Sequence, residues 1–251
     1  MKQSNIYIFD TPADAAKAIA QLILNRVSEK QNLSYAFNLA ISGGKTPETL
    51  FGILANDFAE KIPWHQLRLF WVDERCVPPT HPESNFGMTN ETLLKKVDLP
   101  RKNIFRMKGE AAPEEEAIRY QSVLTKELPS KNGIPVFNLI LLGMGNDGHT
   151  ASIFPKDMDL IDNHLSVAVT RHPDTGQKRI TLTGPVLKQA EEIIFFITGA
   201  QKATILKEML LNEPSAKKYP AFHISSAAEK TSFYLDKEAS ALLPKEIQSA
   251  I

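Results

Sequence analysis

In Asn138-Leu-Ile-Leu-Leu-Gly-Met-Gly-Asn-Asp-Gly-His-Thr-Ala-Ser-Ile-Phe-Pro155 an apolar run, Leu139–Leu142, ends in a glycine turn. A run that is apolar on successive residues reads as a strand buried on both faces. The turn delivers Asp147 and His149 to one mouth, beside free backbone amides. Open α/β sheets assemble sites in this way, at the carboxyl ends of their strands. Two further segments have the same form, Phe37–Thr46 and Leu67–Arg75. Three polar strand ends from distant parts of the chain predict one enzyme site built from separate pieces.

Outward from this stretch, strand-like and helix-like segments alternate. Apolar runs occupy 37–42, 67–72, 137–143, 165–170, 179–183, 192–198 and 232–236. Thr11-Pro12 offers a cap followed by proline at the first helical position, and Ala15, Ile19, Leu22, Ile23 and Val27 recur behind it at helical spacing. Thr46-Pro47-Glu48 repeats the start signal, Ser84-Asn85 predicts a third helix to about Lys96, and Pro113 opens a fourth. This alternation predicts an α/β fold with a mostly parallel sheet and helices on both faces. The Pro- and Gly-containing stretch Leu128–Pro135 is expected to be a loop within a single domain spanning 1–251, because the alternation continues across it.

Lys+Arg and Asp+Glu each total 29, so the net charge is zero and no nucleic acid or anionic membrane partner is expected. A small anionic substrate needs only local positive charge. Cys76 is the sole cysteine, which excludes an intrachain disulfide and a cysteine-rich zinc site. Met1–Asp10 lacks an apolar core of signal-peptide length, and Leu139–Leu142 and Ile193–Ile197 are too short to span a bilayer. The expected compartment is the cytoplasm. Nothing in the sequence sets an oligomeric state.

In Leu39-Ala-Ile-Ser-Gly-Gly-Lys-Thr-Pro47 a strand, two glycines and a helix start place free amides where an anion can sit, with the favourable end of a helix behind them. Lys45 supplies a full charge, and Ser42 and Thr46 supply hydroxyl donors. Leu39 stands where a triphosphate-binding loop has its first glycine, so nucleotide binding is not expected. The plain alternative is a tight turn with a capping threonine. In Phe70-Trp-Val-Asp-Glu-Arg75 three successive charges end an apolar strand, and burying them unpaired would be costly, so they are expected to face a cleft. Arg75 can hold a carboxylate or phosphate through two parallel hydrogen bonds, and Asp73 a sugar hydroxyl. A solvated strand end with a local ion pair is the alternative.

Gly143-x-Gly145-x-x-Gly148 formally meets a dinucleotide fingerprint. Asp147 would set a negative charge beside the pyrophosphate, and Pro155 would break the long helix the motif needs, so no nicotinamide cofactor is expected. His149 is instead the candidate general base, since neutral imidazole accepts a proton near pH 7. Either Asp147 or Asp73 is placed to orient its ring. Asp147 and His149 supply only two ligands and no His-Glu-x-x-His pattern occurs, so no metal is expected. Arg179, opening Arg-Ile-Thr, and Lys202, in Gly-Ala-Gln-Lys, can complete a phosphate pocket, although each alone reads first as an ordinary surface cation.

Taken together, Ser-Gly-Gly-Lys-Thr-Pro (42–47), Val-Asp-Glu-Arg (72–75), Ser-Asn (84–85), the 143–155 stretch, Arg-Ile-Thr (179–181) and Gly-Ala-Gln-Lys (199–202) resemble the 6-phosphogluconolactonase family, within the larger group that includes glucosamine-6-phosphate deaminase. The resemblance covers nearly the whole chain. It implies a Rossmann-like three-layer α/β/α sandwich of the deaminase/ribose-phosphate isomerase type. It also implies hydrolysis of 6-phospho-D-glucono-1,5-lactone to 6-phosphogluconate in the oxidative pentose phosphate pathway, without cofactor or metal. The implied catalytic set is His149, Arg75, Asp73 and Asp147, with Ser42, Gly43, Gly44, Lys45, Thr46, Arg179 and Lys202 holding the substrate phosphate. Deaminases carry a catalytic glutamate where this chain has Phe154, and usually tyrosine where it has Arg75; phenylalanine carries no proton. A non-catalytic sugar-phosphate sensor is the alternative from another class, but no basic DNA-binding segment precedes residue 37.

Overall fold

A computed structural model describes residues 4–29 and 36–248. The chain runs β1 (Asn5–Phe9), α1 (Pro12–Glu29), β2 (Phe37–Ile41), α2 (Lys45–Asp57), β3 (Leu67–Trp71), β4 (Asp73–Arg75), α3 (Asn85–Thr92), β5 (Ile104–Phe105), α4 (Pro113–Glu127), β6 (Ser130–Lys131), β7 (Ile134–Pro135), β8 (Leu139–Leu142), β9 (Val167–Arg171), β10 (Lys178–Leu182), α5 (Gly184–Lys188), β11 (Ile193–Ile197), α6 (Ala203–Leu210), α7 (Pro220–Ala227), β12 (Thr231–Asp236) and α8 (Lys245–Gln248). Of the N-terminal stretch read for a leader, Asn5–Phe9 forms an edge strand that the apolar runs did not predict, and residues 1–3 lie outside the described residues.

Seven strands form one parallel sheet in the order β1-β12-β11-β8-β2-β3-β5. From β2 the chain first builds outward through β3 and β5. It then returns to lay β8 on the other side of β2 and continues through β11 and β12. The order therefore reverses between β2 and β8, and the two glycine turns read from the sequence leave the sheet side by side at that point. The crevice outside such a switch point is where α/β sheets bind ligands.

Side chains alternate along each strand, so each strand feeds two cores. Leu39, Ile41, Trp71, Leu139 and Leu141 pack with Ile19, Ile23, Leu50 and Leu54 from α1 and α2. Ala40, Phe70, Ile140, Leu142 and Phe195 pack on the opposite face with Tyr120, Leu187, Leu206 and Ile224 from α4 to α7. The result is three layers. Fully burying each of these larger side chains contributes about 1.5–3 kcal/mol, so the two cores rather than the polar cleft hold the sheet.

Thr11 caps α1 as expected, its Oγ1 accepting from the Asp14 amide at 3.2 Å. The second start signal reads differently in space. Gly44, at φ +104°, is the residue flanking α2, which begins at Lys45 and takes Thr46 and Pro47 into its first turn. A positive φ is open to glycine at little cost, so the strand turns one residue pair earlier than a Thr46 cap would require. Ser84 caps α3 by accepting from the Gly87 amide at 3.0 Å, and α3 ends at Thr92 with a 3-10 turn at Leu94–Lys96. Residues 128–135 carry a short hairpin, β6 against β7.

Two of the predicted strands do not join the parallel sheet. β9 and β10 form a separate antiparallel sheet with β4, in the order β4-β10-β9. Val72 links the two sheets, its amide donating to Ile41 O at 3.0 Å and its carbonyl accepting from the Leu182 amide at 2.8 Å. This small sheet brings Arg179 directly opposite Arg75.

Candidate active site

A cleft of about 650 Å³ opens at the switch point. It is lined from β2 and α2 by Ser42, Gly43, Gly44, Lys45 and Thr46, from β4 by Asp73 and Arg75, from β10 by Arg179, from the turn after β8 by Gly145, Asn146 and His149, and from the segment after β11 by Lys202. Of the expected catalytic and phosphate-holding residues, all except Asp147 line this cleft, and Asp147 reaches it through His149.

The turn after β8 is built around that pair. His149 Nδ1 lies 2.6 Å from Asp147 Oδ1, and the same oxygen accepts from the His149 amide at 3.1 Å. A Cβ on Gly145 would fall 2.1 Å from His149 Nδ1 and 2.7 Å from Asp147 Oδ1, so only glycine leaves room for both side chains. Burial pushes the Asp147 carboxyl up, but hydrogen bonding and charge from His149 outweigh this and hold it below the ordinary carboxylate value. An ionised carboxylate can only accept, so Nδ1 carries a proton, and in the neutral ring the lone pair is left on Nε2. Behind the ring stands Phe154, 1% exposed, with ring centroids 4.8 Å apart.

Asp73 does not orient the imidazole. Its Oδ2 accepts from Ser152 Oγ at 2.6 Å, and its Oδ1 from Asn85 Nδ2 at 3.4 Å. The expectation that all three charges of Asp-Glu-Arg face the cleft is corrected at Glu74. Strand alternation turns Glu74 inward, where it is 1% exposed. It is not unpaired there: Oε1 accepts from the amides of Arg75 at 2.8 Å and Asn85 at 2.7 Å, and Oε2 from the Phe86 amide at 2.8 Å and Ser84 Oγ at 3.2 Å. Burial nevertheless raises its pKa above the ordinary glutamate value, the three backbone hydrogen bonds opposing the rise.

The cations divide into two groups. Arg75 donates through Nη1 to the Glu83 carbonyl. Its cross-strand neighbour Arg179 donates through Nε to Gln177 Oε1 at 3.0 Å. Burial depresses the Arg179 pKa, with Asp73 opposing the shift and Arg75 adding to it. On the other side of the cleft Lys202 donates to Asn146 Oδ1, beside the histidine turn. Burial lowers its pKa and the Asp147 charge partly opposes this. Lys45 is exposed at the first turn of α2. The amides of a first helical turn have no intrahelical acceptor, so the 44–46 segment presents donors to the cleft. Thr46 Oγ1 lies 3.0 Å from Thr198 Oγ1. Ser42 is the exception among the expected donors: its hydroxyl donates to Leu141 O at 2.9 Å and offers the cleft only lone pairs.

Sequence reasoning missed Ser152, Asn85 and Glu74 as members of this network. Ser152 lay inside the decisive stretch without a partner to mark it. Asn85 was read as a helix start and as part of the Ser-Asn match, with no role assigned to its side chain.

A sequence profile described as glucosamine-6-phosphate isomerases/6-phosphogluconolactonase matches residues 10–233. The 6-phosphogluconolactonase of Haemophilus influenzae is 40% identical over 240 residues, 95% of this chain and 100% of that protein. That of Treponema pallidum is 43% identical over 191 residues, 76% of this chain and 79% of its own. The solved structure of 6-phosphogluconolactonase from Trypanosoma brucei superposes with a TM-score of 0.84 at 28% identity, covering 97% of this chain and 100% of that one. With an acid-histidine pair and a ring of cations at the reversal of a parallel sheet, and with these relatives, the chain belongs to the glucosamine-6-phosphate isomerase/6-phosphogluconolactonase family.

Proposed function

We infer that this chain is a 6-phosphogluconolactonase, an enzyme that hydrolyses 6-phospho-D-glucono-1,5-lactone to 6-phospho-D-gluconate. The observation that carries the mechanism is the 2.6 Å contact of His149 Nδ1 with Asp147 in a cleft walled by cations. His149 Nε2 takes a proton from water as its oxygen attacks the lactone carbonyl. The tetrahedral oxyanion then collapses with loss of the ring oxygen, which receives the proton held by the imidazolium. The Asp147 carboxylate stabilises that imidazolium and fixes its tautomer. Arg75 faces the developing carbonyl charge, a fixed positive group that needs no reorganisation during the reaction. Asp73, already held by Ser152 and Asn85, retains lone pairs to accept a sugar hydroxyl. The 6-phosphate is held by the amides of Gly43, Gly44 and Lys45, by the side chains of Lys45 and Thr46, and by Arg179 and Lys202, with Ser42 shaping the turn. Holding this remote group orients the ester for attack.

Phe154 argues against deaminase chemistry in this cleft. It is buried against the imidazole and offers no carboxyl for ring opening or amine release. The chain works as one domain, since β1 pairs in register with β12 across the sheet edge. A phosphorylated lactone is too strongly charged to cross a bilayer unaided, so the enzyme acts in the compartment where the lactone forms, which we take to be the cytoplasm.

The test generates the lactone in situ from glucose 6-phosphate and follows acid release against the spontaneous background. Acceleration by the protein, with no ammonia from glucosamine 6-phosphate, is expected. Ammonia release without lactone loss would assign it to the other branch of the family, and saturable sugar-phosphate binding with neither reaction would make it a sensor.

A further inference from the structure

Asn85, the first residue of α3, is 2% exposed and locked at both ends. Its amide donates to Glu74 Oε1 at 2.7 Å, and its Nδ2 donates to the Asp73 carbonyl at 2.9 Å and to Asp73 Oδ1 at 3.4 Å. Two acceptors at one end of the carboxamide fix the NH2 group there, so Oδ1 points the opposite way. That oxygen is buried and has no hydrogen-bond partner among the described residues, an uncommon condition for a buried polar atom. What it meets is Gly43. A Cβ on Gly43 would lie 1.9 Å from Asn85 Oδ1 and 2.2 Å from its Cγ. The carboxamide therefore fills the gap between the 42–46 turn and the end of β4 and touches both.

We propose that Asn85 is a positioning residue, a strut that sets the spacing between the phosphate-holding turn and the Asp73 strand end, so that preference for a 6-phosphorylated lactone depends on it. The proposal rests on the functional reading above. Its hydrogen bonds point to Asp73, its carbonyl abuts Gly43, and Glu74 holds its backbone in place. Movement of the strut shifts the turn relative to the reacting centre without touching His149. The consequence falls chiefly on use of the phosphate, since Ser152 still holds Asp73 at the reacting centre.

The experiment measures kcat and KM for 6-phosphogluconolactone and for unphosphorylated glucono-1,5-lactone in the wild type, Asn85→Ala, Asn85→Asp, Gly43→Ala and the Gly43→Ala/Asn85→Ala double variant. Asn85→Ala is expected to lower kcat/KM for the phosphorylated lactone roughly tenfold more than for the other lactone, the difference chiefly in KM, with any loss common to both reflecting the freed Asp73. Asn85→Asp keeps the volume but turns an acceptor toward Asp73, and is expected to lose the same preference. Gly43→Ala alone should fall further, because its methyl meets the carboxamide, and the double variant should recover to the level of Asn85→Ala. Parallel losses on both lactones in an active enzyme, or a Gly43→Ala penalty equal in both backgrounds, would overturn this inference alone. A wild type that accelerates loss of neither lactone would overturn the functional reading and this inference with it.

Discussion

At the scale of single residues, one oxygen of Asp147 decides what His149 can do. It accepts from the His149 amide and stands 2.6 Å from the ring nitrogen, so it sets both ring position and tautomer. Replacing Asp147 with Asn would present an NH2 or a neutral carbonyl to Nδ1 and allow the proton to settle on Nε2, removing the base from the cleft. Asp147→Asn is expected to reduce kcat on the order of 10²-fold or more with a smaller change in KM, measured by lactone hydrolysis at pH 7. The same pair has a pH signature. The folded-state pKa of Asp147 lies below its ordinary value, so its contribution to stability is present above the ordinary carboxylate range and is lost as pH falls through the lowered value. The gap in urea midpoint between wild type and Asp147→Asn should therefore narrow on acidification, and a gap that widened would contradict the pairing. The pair was legible in the sequence because both members sit in one glycine turn. The choice between Asp147 and Asp73 was not, because it depends on Ser152 and Asn85 occupying the latter.

At the scale of elements, Glu74 joins β4 to α3. Four hydrogen bonds from three amides and one hydroxyl converge on its carboxylate, and they anchor the start of the helix that carries Asn85. Gln at this position would keep the shape but turn an NH2 toward donors. Glu74→Gln is expected to destabilise the fold by about 1–3 kcal/mol, read from denaturant unfolding, because buried donors lose their acceptor. A neutral outcome would mean that burial of the charge, which raises the Glu74 pKa, already cancels what the hydrogen bonds contribute. Element identity was largely legible. Apolar runs marked β2, β3, β8, β11 and β12, and Thr11-Pro12, Ser84 and Pro113 marked helix starts. Pairing was less so. β10 pairs antiparallel with β9 on one side and, on the other, with a three-residue strand made wholly of charges, a sequence with no strand pattern of its own. β1 carries Asn5 and Tyr7 among its apolar residues at a sheet edge, where partial exposure weakens the apolar signal.

At the scale of the whole molecule, the site follows from strand order. β2 and β8 are remote in sequence but adjacent at the reversal of the sheet, so the anion-binding turn and the histidine turn emerge together. The antiparallel sheet then adds Arg75 and Arg179 from one side, and the segment after β11 adds Lys202 from the other. A chain with zero net charge thereby brings Lys45, Arg75, Arg179 and Lys202 to one cleft. The sequence announced the three strand ends, but their convergence depends on long-range pairing that no local pattern records. The most direct measurement is the turnover of folded His149→Ala on 6-phosphogluconolactone, corrected for spontaneous hydrolysis. A fall in kcat of roughly 10²–10⁴-fold with binding of 6-phosphogluconate retained is expected for the loss of a general base, whereas turnover matching that of the unaltered protein would contradict the assignment of His149 as that base.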